Sequence, residues 1–226
     1  MSTFPAIETS EADVGFLKTQ LGALLERRGA SAEVLAQLFD ALAGRYSEPG
    51  RFYHNLHHVA EVLRLLGSLG VGPRQNEAVC YAAWFHDAVY DTRGNDNEEK
   101  SAELAAAWLA QLSAPAETVN SVRRLILATK RHEAENLSPD GALFLDSDLA
   151  ILGAPEEIYR QYRAAVREEY AWVEDAIYRR ERRRVLENFI ARDRLFFTDE
   201  LRGRFETQAR RNLRDEIQAL GSDGHD

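Results

Sequence analysis

Three stretches of this chain set histidine and aspartate among apolar residues, and those residue types are metal ligands. The first runs from Arg51 to Leu63 (RFYHNLHHVAEVL), the second from Ala78 to Tyr90 (AVCYAAWFHDAVY), the third from Leu143 to Gly153 (LFLDSDLAILG). An ionised aspartate taken out of water without a partner costs many kcal/mol, so it calls for a cation or takes up a proton. His86 beside Asp87 offers one nitrogen and one or two oxygens, a set acceptable to Zn, Mn, Fe, Ni or Co. Each stretch also has a structural explanation. His58 alone reads more often as a satisfied core histidine, and Asp87 has the alternative of an arginine's salt-bridge partner or a helix-end residue reaching solvent. Asp146 suits the N-cap of a following short helix, whereas Asp148, one turn further in, has no such role and is expected to be buried by Leu145, Leu149 and Leu152. Taken jointly, the three stretches predict a metal site.

The elements that must position these residues all read as helices. Apolar residues recur at helical rather than alternating spacing, and β-branched runs are absent. The pattern predicts helices over 11–28, 32–45, 54–69, 74–90, 97–111, 116–132, 147–152, 155–171, 173–191 and 199–220, with Ser31, Pro73, Pro115 and Pro155 near helix starts. On the 54–69 helix, Leu56, Val59, Val62, Leu63 and Leu66 share one face, which Leu65 and Leu69 widen. His58 falls inside that arc, His54 just off its edge, and His57 further towards solvent. His54 and His58, four apart, are expected on one side of the helix. The 74–90 segment is apolar almost all round apart from His86 and Asp87, as a helix buried on most sides should be; Trp84, Phe85 and Tyr90 read as core. The polar loops 91–96 and 133–141 are candidates for the rim of a site. The expectation is one all-α domain spanning 1–226, a compact helical bundle with its metal-binding core over about 51–153, helices 155–220 packing on it, and a frayed tail over 221–226.

Composition narrows the functional classes. A net charge of −9 supplies no global basic field for a nucleic-acid backbone, although Arg179, Arg180, Arg182, Arg183 and Arg184 cluster; that cluster reads as a solvated helix face. Cys80 is the single cysteine, so no intrachain disulfide can form, and its apolar neighbours Val79 and Tyr81 make it a small core residue. No apolar stretch approaches the roughly 20 residues needed to span a bilayer, and no basic segment followed by an apolar run opens the chain. A cytoplasmic protein with no membrane or nucleic-acid partner is the expectation.

The ordered set of segments resembles a known family. YHNLHHV at Tyr53, FHDAVYD at Phe85, NEEKSA at Asn97, ATKRH at Ala128 and FLDSDLAILG at Phe144 look like the HD superfamily of metal-dependent phosphohydrolases. Within it they resemble a bacterial family of HD-type phosphohydrolases. YRQYRAAVREEY at Tyr159 and ARRNL at Ala209 extend the likeness over most of the chain. The His-Asp doublet alone is weak; the ordered set in a helical context is specific. The resemblance implies an HD-type helical fold with His58, His86, Asp87 and Asp148 as ligands of a divalent metal (Mn, Mg, Fe, Co, Ni or Zn). YHN followed by His58 is also similar to a segment of cyclic-nucleotide phosphodiesterases. There the first histidine is the general acid, which gives His54 the role of proton donor, in keeping with a histidine's titration near neutrality. This chain is far shorter than those catalytic domains, and their purine-gripping part has no counterpart that can be placed.

A metal so held polarises a phosphoryl oxygen and lowers the pKa of a water, so the implied activity is hydrolysis of a phosphate mono- or diester of a small, nucleotide-like substrate. Asp87 would take part in catalysis as well as ligation. A second ion bridged by Asp87 would draw on Asp91 and His132; the alternatives are a helix-end or loop aspartate and a cation favoured at a helix C-terminus. Phosphate recognition falls to Lys130, Arg51 or Arg167, each equally explained as a surface charge. Glu98 and Glu99 suit a helix N-terminus. Two other classes stay open: a regulatory metal- or nucleotide-binding module without turnover, and a di-iron oxygenase, which would need a full second ligand set.

Overall fold

The structure, a computed structural model, describes residues 7–222. Among the described residues it is all-helical: ten α-helices and one 3-10 turn, with no strand. No helix there is long and apolar enough to cross a membrane. Of the tail expected to fray, 223–226 lies outside the described residues, while Gly221 and Ser222 continue the last helix.

The chain divides into two compact units. The unit from Glu8 to Leu145 contains α1 (Glu11–Glu26), α2 (Ala32–Tyr46), α3 (Leu56–Ser68), α4 (Glu77–Phe85), α5 (Asn97–Gln111), α6 (Ala116–Thr129) and the first part of α7 (Pro139–Asp148). Its centre is α4, which packs against α3, α5 and α6 and buries Val79 through Phe85 without a gap. The large side chains Tyr81, Trp84 and Phe85 are inaccessible, each burying roughly 150–250 Å² of ring surface, worth several kcal/mol apiece. Cys80 is buried among them as a small core residue, and burial pushes its thiol up to about 12. Tyr46 from the end of α2 donates its hydroxyl to the Trp84 carbonyl, satisfying a group at the C-terminal end of α4.

The described part of the other unit starts at Asp146. It contains the end of α7, a 3-10 turn (Leu149–Gly153), α8 (Glu156–Glu169), α9 (Asp175–Ile190) and α10 (Asp199–Ser222). The 3-10 turn packs on α10 so closely that a Cβ added at Gly153 would stand 2.6 Å from the Phe205 Cβ. Asn212 donates to the carbonyls of Leu152 and Ala154, holding the chain as it leaves that turn. Under α8, Glu216 accepts from Tyr159 (2.5 Å) and Arg182 (2.9 Å), a buried network joining three helices.

Helix boundaries depart from the hydrophobic pattern where capping chemistry takes over. Asn55 accepts from the His57 amide and starts α3 at Leu56, so His54 stands in the preceding turn rather than on the helix. Asn76 does the same for α4, three residues beyond Pro73, and α4 ends at Phe85 rather than Tyr90. Helix α6 ends at Thr129, and His132 sits in the left-handed region at φ 48°, a conformation that terminates helices. The largest difference is α7. Ser138 accepts from the Gly141 amide, Pro139 occupies the first helical position, and the helix runs to Asp148 where a loop and a later start were expected.

Candidate metal centre

The site is built outward from the end of α4. His86 follows the last helical residue and closes the helix, its amide bonding the Ala82 carbonyl. Its ring Nδ1 lies 3.0 Å from the Ala83 carbonyl oxygen. A carbonyl only accepts, so Nδ1 carries a proton, and in a neutral ring Nε2 is then a lone pair. That lone pair points at His58 Nε2, 3.1 Å away, on the third residue beyond the Asn55 cap of α3. Both rings are buried, His86 1% and His58 4% exposed, and Phe144 of α7 meets the His86 ring edge to face. An Asp87 carboxylate oxygen lies 3.3 Å from His86 Nε2 and 3.9 Å from His58 Nε2.

These separations test whether a metal fits. At metal–ligand distances of about 2.1 Å, neighbouring donors stand about 3.0 Å apart at a right angle and about 3.4 Å apart at the tetrahedral angle. The two shorter separations, 3.1 and 3.3 Å, lie in that interval. Nδ1–H held by a backbone carbonyl, leaving Nε2 to ligate, is also the usual support of a metal-binding histidine. The donor set fits a divalent cation.

The third stretch needs correction. Asp146 is not an N-cap but lies inside α7, fully buried, where it accepts from the Phe197 amide (2.7 Å), the Thr198 amide (2.8 Å) and the Thr198 hydroxyl (2.6 Å). Burial still raises its pKa against those donors, with Glu206 adding to the rise. Asp148, expected to be the deeply buried one, is half-buried at the end of α7. It lies one turn after Phe144 on the same continuous helix. His58 and His86 supply the two nitrogens of a group that could hold a metal ion. Asp87 is likewise half-buried, 21% exposed at its side chain, because α4 ends before it.

Arg51, expected to meet phosphate, is instead the clamp that holds the turn before α3 against the turn after α4. Its side chain is 2% exposed, and the guanidinium donates to the carbonyls of His54 (3.0 Å), Asp87 (2.7 Å) and Ala88 (3.3 Å), with Glu48 at 3.4 Å. The rings of Tyr46 and Tyr90 flank the guanidinium. One cation thus fixes the backbone of two site residues on different segments. The half-buried His54 ring stacks on Tyr90 at 4.3 Å between centroids and meets Tyr53 and His58 edge on, at 5.0 and 6.0 Å. So His54 reaches the cluster from a turn, not along the helix face that its spacing implied.

The remaining candidates sit elsewhere in the fold. Asp91 is exposed and accepts from the Arg93 amide, while Asn97 bonds both its amide and its carbonyl; the geometry shapes the loop before α5. Neither Asp91 nor His132 belongs to the group around His58 and His86. Lys130 donates to Glu99 (2.6 Å) and to the Asn95 carbonyl (2.7 Å), fastening the 91–96 loop to the end of α6. Arg167 donates to the carbonyls of Tyr170 and Val173 and to Asp175. His57, expected towards solvent, is half-buried and donates to Asp13 at 3.1 Å. Asp13 carried no sequence signal beyond the Ser10–Asp13 capping spacing, yet it is buried and bonded by Ser10, His57 and Arg64.

Comparison of the chain with protein-family models, with curated proteins and with solved structures finds no match in any of the three.

Proposed function

We propose that this chain is a metal-dependent phosphohydrolase that cleaves a phosphate mono- or diester of a small, nucleotide-like substrate. One observation carries the reading: the Ala83 carbonyl fixes the His86 tautomer so that its Nε2 lone pair faces the His58 ring nitrogen and the Asp87 carboxylate. Two imidazole nitrogens 3.1 Å apart repel unless a proton or a cation lies between them, and the Asp87 carboxylate beside them adds the oxygen donor that a divalent cation would use. His58, His86, Asp87 and Asp148 would hold it. Bound there, a divalent ion supplies Lewis acidity towards a phosphoryl oxygen and lowers the pKa of water towards neutrality.

The chain's own groups do the rest. His54 stands beside the ligand cluster but outside it, stacked flat on Tyr90, so its ring is held in one plane where it can give a proton to a leaving oxygen. Arg51 keeps the His54 and Asp87 backbones in register, and Lys130 fixes the neighbouring loop. The resemblance of the ordered His, His-Asp and Asp segments to HD-type phosphohydrolases supports the reaction class, and the helical fold agrees with it.

The test is metal content of the purified chain, wild type beside His86→Ala, followed by a phosphate-ester screen with Mn, Mg, Co, Ni, Fe or Zn added. Near-stoichiometric metal in wild type, lost in the variant, with metal-dependent turnover of some ester, supports the proposal. Metal bound without turnover of any ester would turn the reading to a non-catalytic module, and no metal under any condition would end it.

A further inference from the structure

The helices α8, α9 and the end of α10 enclose a cleft of about 400 Å³ that the metal centre does not use. Ala164 opens its α8 wall between Arg163 and Arg167, and Arg160 lies one turn before Arg163. The three arginines follow the i, i+3, i+7 spacing of one helix face, where like charges repel. Arg179 enters from α9. Four arginines and two carboxylates, Asp175 and Glu216, therefore line one cleft in a chain whose net charge is −9.

The two carboxylates are already engaged. Asp175 accepts from Arg167 at 3.3 Å. Glu216 is buried and bonded by Arg182 and by the Tyr159 hydroxyl, and the Arg163 Nε stands 3.7 Å from it, beyond hydrogen-bond distance. Arg179 donates to the carbonyls of Ala219 and Leu220 near the C-terminal end of α10. Among the described residues, Arg160 makes no ion pair or hydrogen bond. The cleft has the volume of a small-molecule site and a surplus of guanidinium forks, whose planar donor pairs match phosphate oxygens better than they match chloride or water.

We propose that this cleft is a binding site for a polyphosphate group, that is, for a small molecule carrying two or more linked phosphates. Arg160 and Arg163 present the open forks, Arg179 adds charge from the facing helix, and Arg167, fixed by Asp175 and two carbonyls, is a wall rather than a donor. Binding relieves the repulsion along α8 and ties α8 to α9.

The experiment titrates the chelator-treated full chain with inorganic tripolyphosphate by calorimetry at low and moderate salt, so that the metal centre takes no part. Wild type is compared with Arg160→Ala/Arg163→Ala and with the control Arg180→Ala/Arg184→Ala on the exposed face of α9. One equivalent is expected to bind wild type and the control, weakening with salt, and the α8 double variant is expected to lose about tenfold or more in affinity. Arg160→Lys/Arg163→Lys, which keeps the charge but not the fork, is expected to fall between them. Absence of binding to wild type, or equal affinity in the α8 and α9 double variants, would overturn the proposal.

Discussion

Carboxylates at the end of α4 and carboxylates under α8 are handled in opposite ways. Glu216 is buried and matched by cationic and hydroxyl donors, Arg182 and Tyr159, and Asp146 by two amides and a hydroxyl. Asp87 instead faces two imidazole nitrogens, one of which is a lone pair by its tautomer, and its exposure is intermediate. The difference teaches that depth of burial does not mark a site. A deeply buried carboxylate must already have its donors, so it belongs to the scaffold, whereas Asp87, the proposed ligand, is only half-buried, as a group that must meet an ion would be. Reading burial as the signature of function led from the sequence to Asp148 as the buried residue, and the structure exchanges it with Asp146.

The contrast can be broken most forcefully on the scaffold side. Glu216→Ala leaves the Arg182 guanidinium buried without its counter-ion, and the expected loss is about 3–5 kcal/mol of unfolding free energy, measured by urea denaturation. Metal affinity should stay within a factor of two. A stability loss under 1 kcal/mol would mean that the network is not what holds α8, α9 and α10 together.

Asp87→Asn is the converse. The half-buried side chain can turn its amide to solvent, so unfolding of the metal-free chain should shift by less than about 1 kcal/mol. Metal affinity, followed by titration with Mn or Co, should fall at least about a hundredfold, since removing a ligand costs more than the ten- to hundredfold typical of its supports. Equal affinities would remove Asp87 from the ligand set.

Arg51→Met sharpens the comparison from inside the site. The variant keeps much of the stem's packing between Tyr46 and Tyr90 but loses the bonds to the His54, Asp87 and Ala88 carbonyls. Metal stoichiometry should be retained with affinity about tenfold lower, because the ligands are present but their backbone is no longer fixed. Unchanged affinity and a large loss of stability would make Arg51 a packing residue only.

Much of this was legible in the chain itself, for identifiable reasons. The all-helical class follows from apolar spacing, and the burial of His58 from its place between Leu56 and Val62 on the α3 face. Helix ends were harder. Asn55, Asn76 and Ser138 each start a helix through a side-chain bond that periodicity does not register, although their residue types are the standard caps. Recognising Ser138-Pro139 as a cap and first position would have placed Asp146 inside α7. Arg51 could not be read from sequence, because its partners are carbonyls on a segment more than thirty residues away. The same holds for Lys130 and Glu99: a lysine at a helix end carries no sign of the carboxylate that will neutralise it.

The smallest effect separates two scaffold aspartates by pH. Burial works to raise the Asp13 pKa, but the hydrogen bonds from Ser10, His57 and Arg64 outweigh it and hold the carboxyl well below the usual range. A depressed folded-state pKa gives stability that is present above the unfolded value, near 3.8, and is lost as pH falls through the folded one. Asp146 has the opposite sign. Its raised pKa gives stability that is complete below the unfolded value and lost as pH rises through the folded one. Asp13→Asn should therefore flatten the acid limb of the stability curve below about pH 4 and cost about 1.5 kcal/mol at neutral pH, read from denaturant midpoints between pH 2.5 and 7. Asp146→Asn should remove a contribution that declines with rising pH, leaving the variant's curve steeper upward from pH 4 than wild type. If both variants shift the limb in one direction, the two carboxylates share one electrostatic environment, and the donors around Asp13 do not outweigh its burial as they are expected to.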